Sequence, residues 1–125
     1  MVVKGVKQLD VYRRSYAAAL RVHKLSLGFP EIERFALADQ MRRASRSICP
    51  NTAEGFGRRR MSTVEYRRFL AMATGSADEM QVWASFARDL NYLDPSTADA
   101  MKQEYAEIAA MLLGLSRAWD EGRAT

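Results

Sequence analysis

The chain has 125 residues, 48% hydrophobic and 27% charged, with a net charge of +4. That is enough for one domain, 1–125, with a sustained core, and its few glycines and prolines exclude a disordered or turn-rich β chain. No apolar run nears the ~20 residues of a membrane-spanning helix, MVVKGVKQLD lacks a signal-peptide core, and the lone Cys49 excludes an internal disulfide; a cytoplasmic protein without membrane contact is expected.

The first predicted helix carries Leu9, Tyr12, Tyr16, Leu20, His23 and Leu27 at three- and four-residue steps, an apolar stripe expected to face the core. Gly28-Phe29-Pro30 should end it. With no second histidine to build a site, His23 is read as a core or subunit-contact residue. A second helix is predicted from near Glu33 through Phe35, Leu37, Met41, Ala44 and Ile48, distorted but not ended by Pro50, and stopped at Gly55-Phe56-Gly57 by glycines free to turn left-handed. Arg58-Arg59-Arg60 then falls in an exposed connection.

Ser62-Thr63-Val64-Glu65 has the form of a capping box and predicts a long third helix reaching about Tyr92. Leu70, Ala73, Ala77, Met80, Ala84 and Ala87 make one of its apolar stripes, and Phe69, Ser76, Trp83 and Leu90 widen it. So wide an apolar arc predicts neighbours on more than one side. Gly75-Ser76 in mid-helix suggests close approach by another helix, since glycine there costs about 1 kcal/mol against alanine. Glu54, Gly75, Ser76 and Glu79 are therefore candidate helix or subunit contacts. Asp94-Pro95 opens a fourth helix, with Met101, Tyr105, Ile108, Leu112, Leu115 and Trp119 in strict heptad spacing, ending at Glu121-Gly122 before a loose tail. Met1 to Val6 is too short for a strand. The expected fold is an all-α, antiparallel up-down-up-down four-helix bundle.

No Glu-x-x-His step, zinc spacing, phosphate-binding glycine loop or nucleophile elbow occurs. No catalytic residue, metal or cofactor is expected, and the protein is read as no enzyme. Charge carries the stronger signal. Residues 34–68 hold nine basic groups against three acidic ones, while residues 69–125 hold four against nine. Arginine outnumbers lysine fifteen to four, which favours planar partners such as phosphate or carboxylate. Arg42, Arg43 and Arg46 are expected to form a ridge, and Arg58, Arg59, Arg60, Arg67 and Arg68 complete the candidate nucleic-acid-binding set. The same arginines also suit the acidic half of a neighbouring subunit, and both readings stand on the sequence.

FPEIERFALADQMRRASRSI (Phe29 to Ile48), CPNTAEGFGRR (Cys49 to Arg59), EYRRFLAMATGSADE (Glu65 to Glu79) and DLNYLD (Asp89 to Asp94) resemble the four-helix bundle proteins encoded in intervening sequences of bacterial 23S ribosomal RNA genes, the S23-like family. The likeness spans Leu9 to about Trp119, with Cys49 and Thr52 standing where the family usually has Ile or Val. It implies a ring-like homo-oligomer, often a pentamer, and an association with ribosomal RNA. It also implies kinship to the accessory variability proteins of diversity-generating retroelements, basic pentamers that work with a reverse transcriptase. A homo-oligomer that binds RNA or DNA is thus expected, and an oligomeric scaffold recruiting a protein partner is the alternative.

Overall fold

The computed structural model describes residues 5–124, with side chains to Trp119. The first four residues of Met1 to Val6, and Thr125 of the expected tail, lie outside the described residues. Four helices follow a short 3-10 turn at Val6–Gln8: α1 (Asp10–Ser26), α2 (Leu37–Arg58), α3 (Thr63–Asp89) and α4 (Pro95–Ala124). No strand occurs among the described residues, and no helix there is long and apolar enough to cross a membrane.

The helices alternate in direction. Along α1 and α2, Cys49 Sγ reaches the Tyr12 carbonyl at one end and Arg42 reaches Ser26 at the other. Along α2 and α3 the contacts run from Ser47–Ser76 to Arg58–Glu65. α3 packs along both α2 and α4, whereas α1 lies mainly on α2 and meets α4 over a short stretch. Arg14 spans that narrower contact, donating to both oxygens of Glu104 at 3.1 and 2.9 Å and to Glu107 at 3.0 Å.

Met41, Ile48, Tyr66, Leu70, Met80, Ile108 and Leu112 fill the centre. The predicted stripe of α3 from Leu70 to Ala87 is buried, and so are Met101, Tyr105, Ile108 and Leu112 of α4. α1 departs from its expectation. Its core side is Val11, Ser15, Ala18, Val22 and Ser26, while Tyr16 and Leu20 are 55% and 54% exposed. Leu9 is buried and Tyr12 packs against the core as expected, but further along the stripe Tyr16, Leu20 and Leu27 face out.

The connections also differ. Glu31–Glu33 forms a separate 3-10 turn, α2 begins only at Leu37, and Phe35 is 83% exposed. α2 runs across Pro50 and through Gly55-Phe56-Gly57 to Arg58, and no glycine among the described residues has positive φ. Gly55 serves a close approach instead: a Cβ there would stand 2.9 Å from Phe69 Cβ and 3.1 Å from the Tyr66 carbonyl oxygen. α3 ends where Asn91 turns left-handed at φ 64°. The Tyr92 amide then reaches the Ala87 carbonyl at 2.8 Å and the Asn91 amide that of Arg88 at 3.0 Å, a Schellman-type closure with asparagine in the usual glycine place. α4 continues past Glu121-Gly122 to Ala124.

Candidate nucleic-acid interface

The eight candidate arginines fall into two groups, Arg42, Arg43 and Arg46 on the first half of α2 and the other five around the turn into α3. Twelve residues of helix, about 18 Å, separate Arg46 from Arg58.

The first group does not form the expected ridge. Arg42 folds over the α1–α2 connection, donating to Ser26 Oγ at 3.0 Å and to the Arg34 carbonyl at 2.9 Å. Arg43 holds Asp39 one turn back at 2.8 Å. Arg46 lies 2.9 Å from His23 Nδ1, towards which a guanidinium can only donate. Each side chain is drawn in its own direction, and His23 is half-buried against α2.

In the second group Arg58 and Arg68 converge. Arg58 is the last residue of α2 and not part of the connection. It approaches Glu54 at 3.4 Å and Glu65 at 3.8 Å, and its guanidinium stands 5.2 Å from the Phe69 ring. Arg68 takes Glu65 in a bidentate pair at 2.8 and 3.1 Å and lies 4.5 Å from the same ring. Phe69 is thereby flanked by two cations. Hydrogen bonding from Arg68 holds the Glu65 carboxyl below its ordinary range, against a desolvation that acts the other way.

Arg59 is half-buried instead of exposed. Its guanidinium sits 3.7 Å above the Phe56 ring and donates to the Phe56 carbonyl at 2.6 Å. Burial, and then the charge of Arg60, lower its affinity for its proton. Arg60 is exposed in the turn and Arg67 is exposed on α3, beside a groove shared with Leu112 and Ser116 of α4. Ser62 closes this end by accepting from the Glu65 amide at 3.1 Å. The expected box is half built: the Ser62 amide bonds the Arg58 carbonyl at 2.9 Å, which leaves the Glu65 carboxylate for the arginines.

Of the candidate contacts, Ser76 meets Ser47 Oγ at 2.5 Å across the α2–α3 contact, and Glu54 holds Arg58. Gly75 corrects the close-approach reading within the chain, for a Cβ there would meet nothing within 4 Å. Glu79 is exposed on α3. The tight glycine is Gly55, whose sequence signal, a glycine at the core spacing Ile48-Thr52-Gly55, was masked by the pull of a Gly-x-Gly turn. Phe56, at the glycine-flanked end of α2, and Phe69, on an apolar stripe of α3, also seat guanidiniums, a role that their spacing in the sequence does not signal. Among the described residues no group of three or more His, Cys, Asp or Glu is placed to hold a metal ion.

The sequence profile of one family, described as 23S rRNA-intervening sequence protein, matches residues 7–114. No curated protein matches the chain. Among solved structures, a protein of unknown function from the S23 ribosomal protein family of Bacteroides thetaiotaomicron superposes with a TM-score of 0.77 at 20% identity, covering 86% of this chain and 95% of that one. At that identity the likeness is one of fold.

Proposed function

Since the chain belongs to the family of 23S rRNA-intervening sequence proteins, we propose that it is a non-enzymatic, homo-oligomeric, cytoplasmic protein that binds RNA phosphates at the α2–α3 end of its bundle. One observation carries the reading. Arg58 and Arg68 flank one ring, Phe69, and share Glu65, while Arg59 on the Phe56 ring and the exposed Arg60 occupy the adjoining turn. The planar fork that grips the Glu65 carboxylate fits a phosphate equally well. A phosphate chain would gain these contacts and release its counterions.

Sequence preference should be weak. Phe56 and Phe69 are covered by guanidiniums, which leaves them poor platforms for stacking bases, and phosphate contacts carry no sequence information. A ring of five subunits, the state the resemblance implies, would repeat the patch around one rim. The test is an electrophoretic shift at low salt with a ribosomal RNA hairpin and an unrelated duplex of equal length. The wild type should shift both, and Arg58→Ala/Arg60→Ala/Arg68→Ala should bind at least tenfold more weakly with unchanged helicity. No shift by the wild type sinks the reading.

A second reading is favoured by the first arginine group, in which Arg42 and Arg46 hold α1 and its connection in place. In that case the arginines serve mainly structure, and the oligomer recruits a protein partner such as a reverse transcriptase. Full RNA affinity in the triple variant would favour it.

A further inference from the structure

The two guanidiniums that flank Phe69 already hold an anion. Glu65 Oε2 accepts from Arg68 Nε at 2.8 Å and Glu65 Oε1 from Arg68 Nη2 at 3.1 Å. The same Oε1 stands 3.8 Å from Arg58 Nη1, so one carboxylate fills the place that both cations face. It presents two oxygens to a planar fork, as the non-bridging oxygens of a phosphodiester do, and carries the same single charge. Glu54 is no equivalent, because it approaches Arg58 alone, at 3.4 Å.

The carboxylate can leave without disturbing what surrounds it. Glu65 is anchored through its backbone, whose amide donates to Ser62 Oγ at 3.1 Å, and its side chain is 34% exposed. Swung outward, it remains in the first turn of α3, where the helix dipole favours a negative charge. Phe69 gives both guanidiniums a second hold, at 5.2 and 4.5 Å from its ring, that does not depend on the carboxylate.

We propose that Glu65 is a built-in competitor for phosphate: it occupies the Arg58–Arg68 fork in the free protein, yields it when RNA binds, and so restrains the affinity of the site. The inference rests on the phosphate-binding reading above and adds to it the residue that limits it. The limit follows from charge. An incoming phosphate exchanges one anion for another instead of meeting two unpaired cations, and the displaced Glu65 carboxylate stays beside it.

Fluorescence anisotropy with a labelled RNA duplex over a salt series, with circular dichroism as the fold control, tests the competitor in Glu65→Gln. Glutamine keeps the size of the side chain and the Ser62 bond while removing the charge. Asp39→Asn is the control. It frees Arg43, which Asp39 holds at 2.8 Å, and adds the same charge nineteen residues from Arg58 along α2, about 28 Å away. Glu65→Gln should bind about three- to tenfold more tightly than the wild type, the scale of two exposed ion pairs. Its slope of log affinity against log salt should be steeper by up to about 0.7 to 0.9, one phosphate's worth, because no displaced carboxylate takes up a cation on binding. Asp39→Asn, well beyond the Debye length of about 10 Å at 0.1 M salt, should stay within about twofold of the wild type. Unchanged or weaker binding by Glu65→Gln, or equal tightening by Asp39→Asn, overturns the competitor while the RNA reading survives in the wild type. Should Glu65→Gln lose helicity, the Arg68 Nε–H resonance of the wild type decides: RNA at saturation should shift it, and an unmoved resonance overturns the competitor. No binding by the wild type or by Glu65→Gln overturns both.

Discussion

At single residues, two glycines one helix apart have opposite roles. Gly55→Ala would push a methyl to within 2.9 Å of Phe69 Cβ and 3.1 Å of the Tyr66 carbonyl, neither of which can swing aside. It should cost about 1–3 kcal/mol in urea unfolding. Gly75→Ala meets nothing in the chain and should stabilise it by about 1 kcal/mol in the same measurement. Burial pushes the Cys49 thiol up to about 11 and the Tyr66 phenol up to about 12, despite the opposing charge of Arg59. Both groups are neutral when protonated, and their folded values lie above the unfolded ones. Their contribution is complete below the unfolded thiol value of about 8.5 and is lost as pH rises towards 11 and 12. The urea midpoint should be flat with respect to these groups up to about pH 8.5 and fall above it, and native Cys49 should alkylate far more slowly at pH 8.5 than in the unfolded chain.

At the scale of elements, the start of α3 rests on one side-chain acceptor, Ser62 Oγ to the Glu65 amide. Ser62→Ala should cost about 1 kcal/mol, whereas Glu65→Gln should leave that bond intact and loosen Arg58 and Arg68. Hydrogen–deuterium exchange at the first turn of α3 distinguishes the two. The four helices, their order and their alternation were legible in the sequence because caps and heptads are local signals: Ser62 and Asp94 open α3 and α4, and Met101 to Leu112 keep one face. α1 was legible as a helix and misread as to face. Tyr16, Leu20 and Leu27 outweigh Ser15, Ala18 and Val22 in hydrophobicity, and periodicity records that a stripe exists without recording what covers it. The α2–α3 turn was misread for a related reason. Gly55-x-Gly57 satisfies both a left-handed cap and a close helix approach, and only the position of Phe69, fourteen residues on, separates them. The arginine set was legible as charge, but its division into Arg42 and Arg46 that hold α1 and Arg58, Arg60 and Arg68 that gather at one end depends on Ser26, His23 and Phe69, partners far off in sequence.

Across the whole molecule, the charge asymmetry of the chain becomes an asymmetry of the bundle. Acidic α4 is partly neutralised within the chain, where Arg14 binds Glu104 and Glu107 and Arg88 binds Asp99 at 3.0 Å. The basic surplus is left at the α2–α3 end, where the proposed function places the phosphates. The most direct measurement is the salt dependence of RNA affinity for the wild type and for Arg58→Ala/Arg60→Ala/Arg68→Ala, read by fluorescence anisotropy with a labelled RNA duplex. Each phosphate neutralised contributes about −0.7 to −0.9 to the slope of log affinity against log salt. The account predicts a steep negative slope for the wild type and one shallower by about two to three for the variant, with both proteins equally helical. Equal slopes and equal affinities in the two proteins would contradict it.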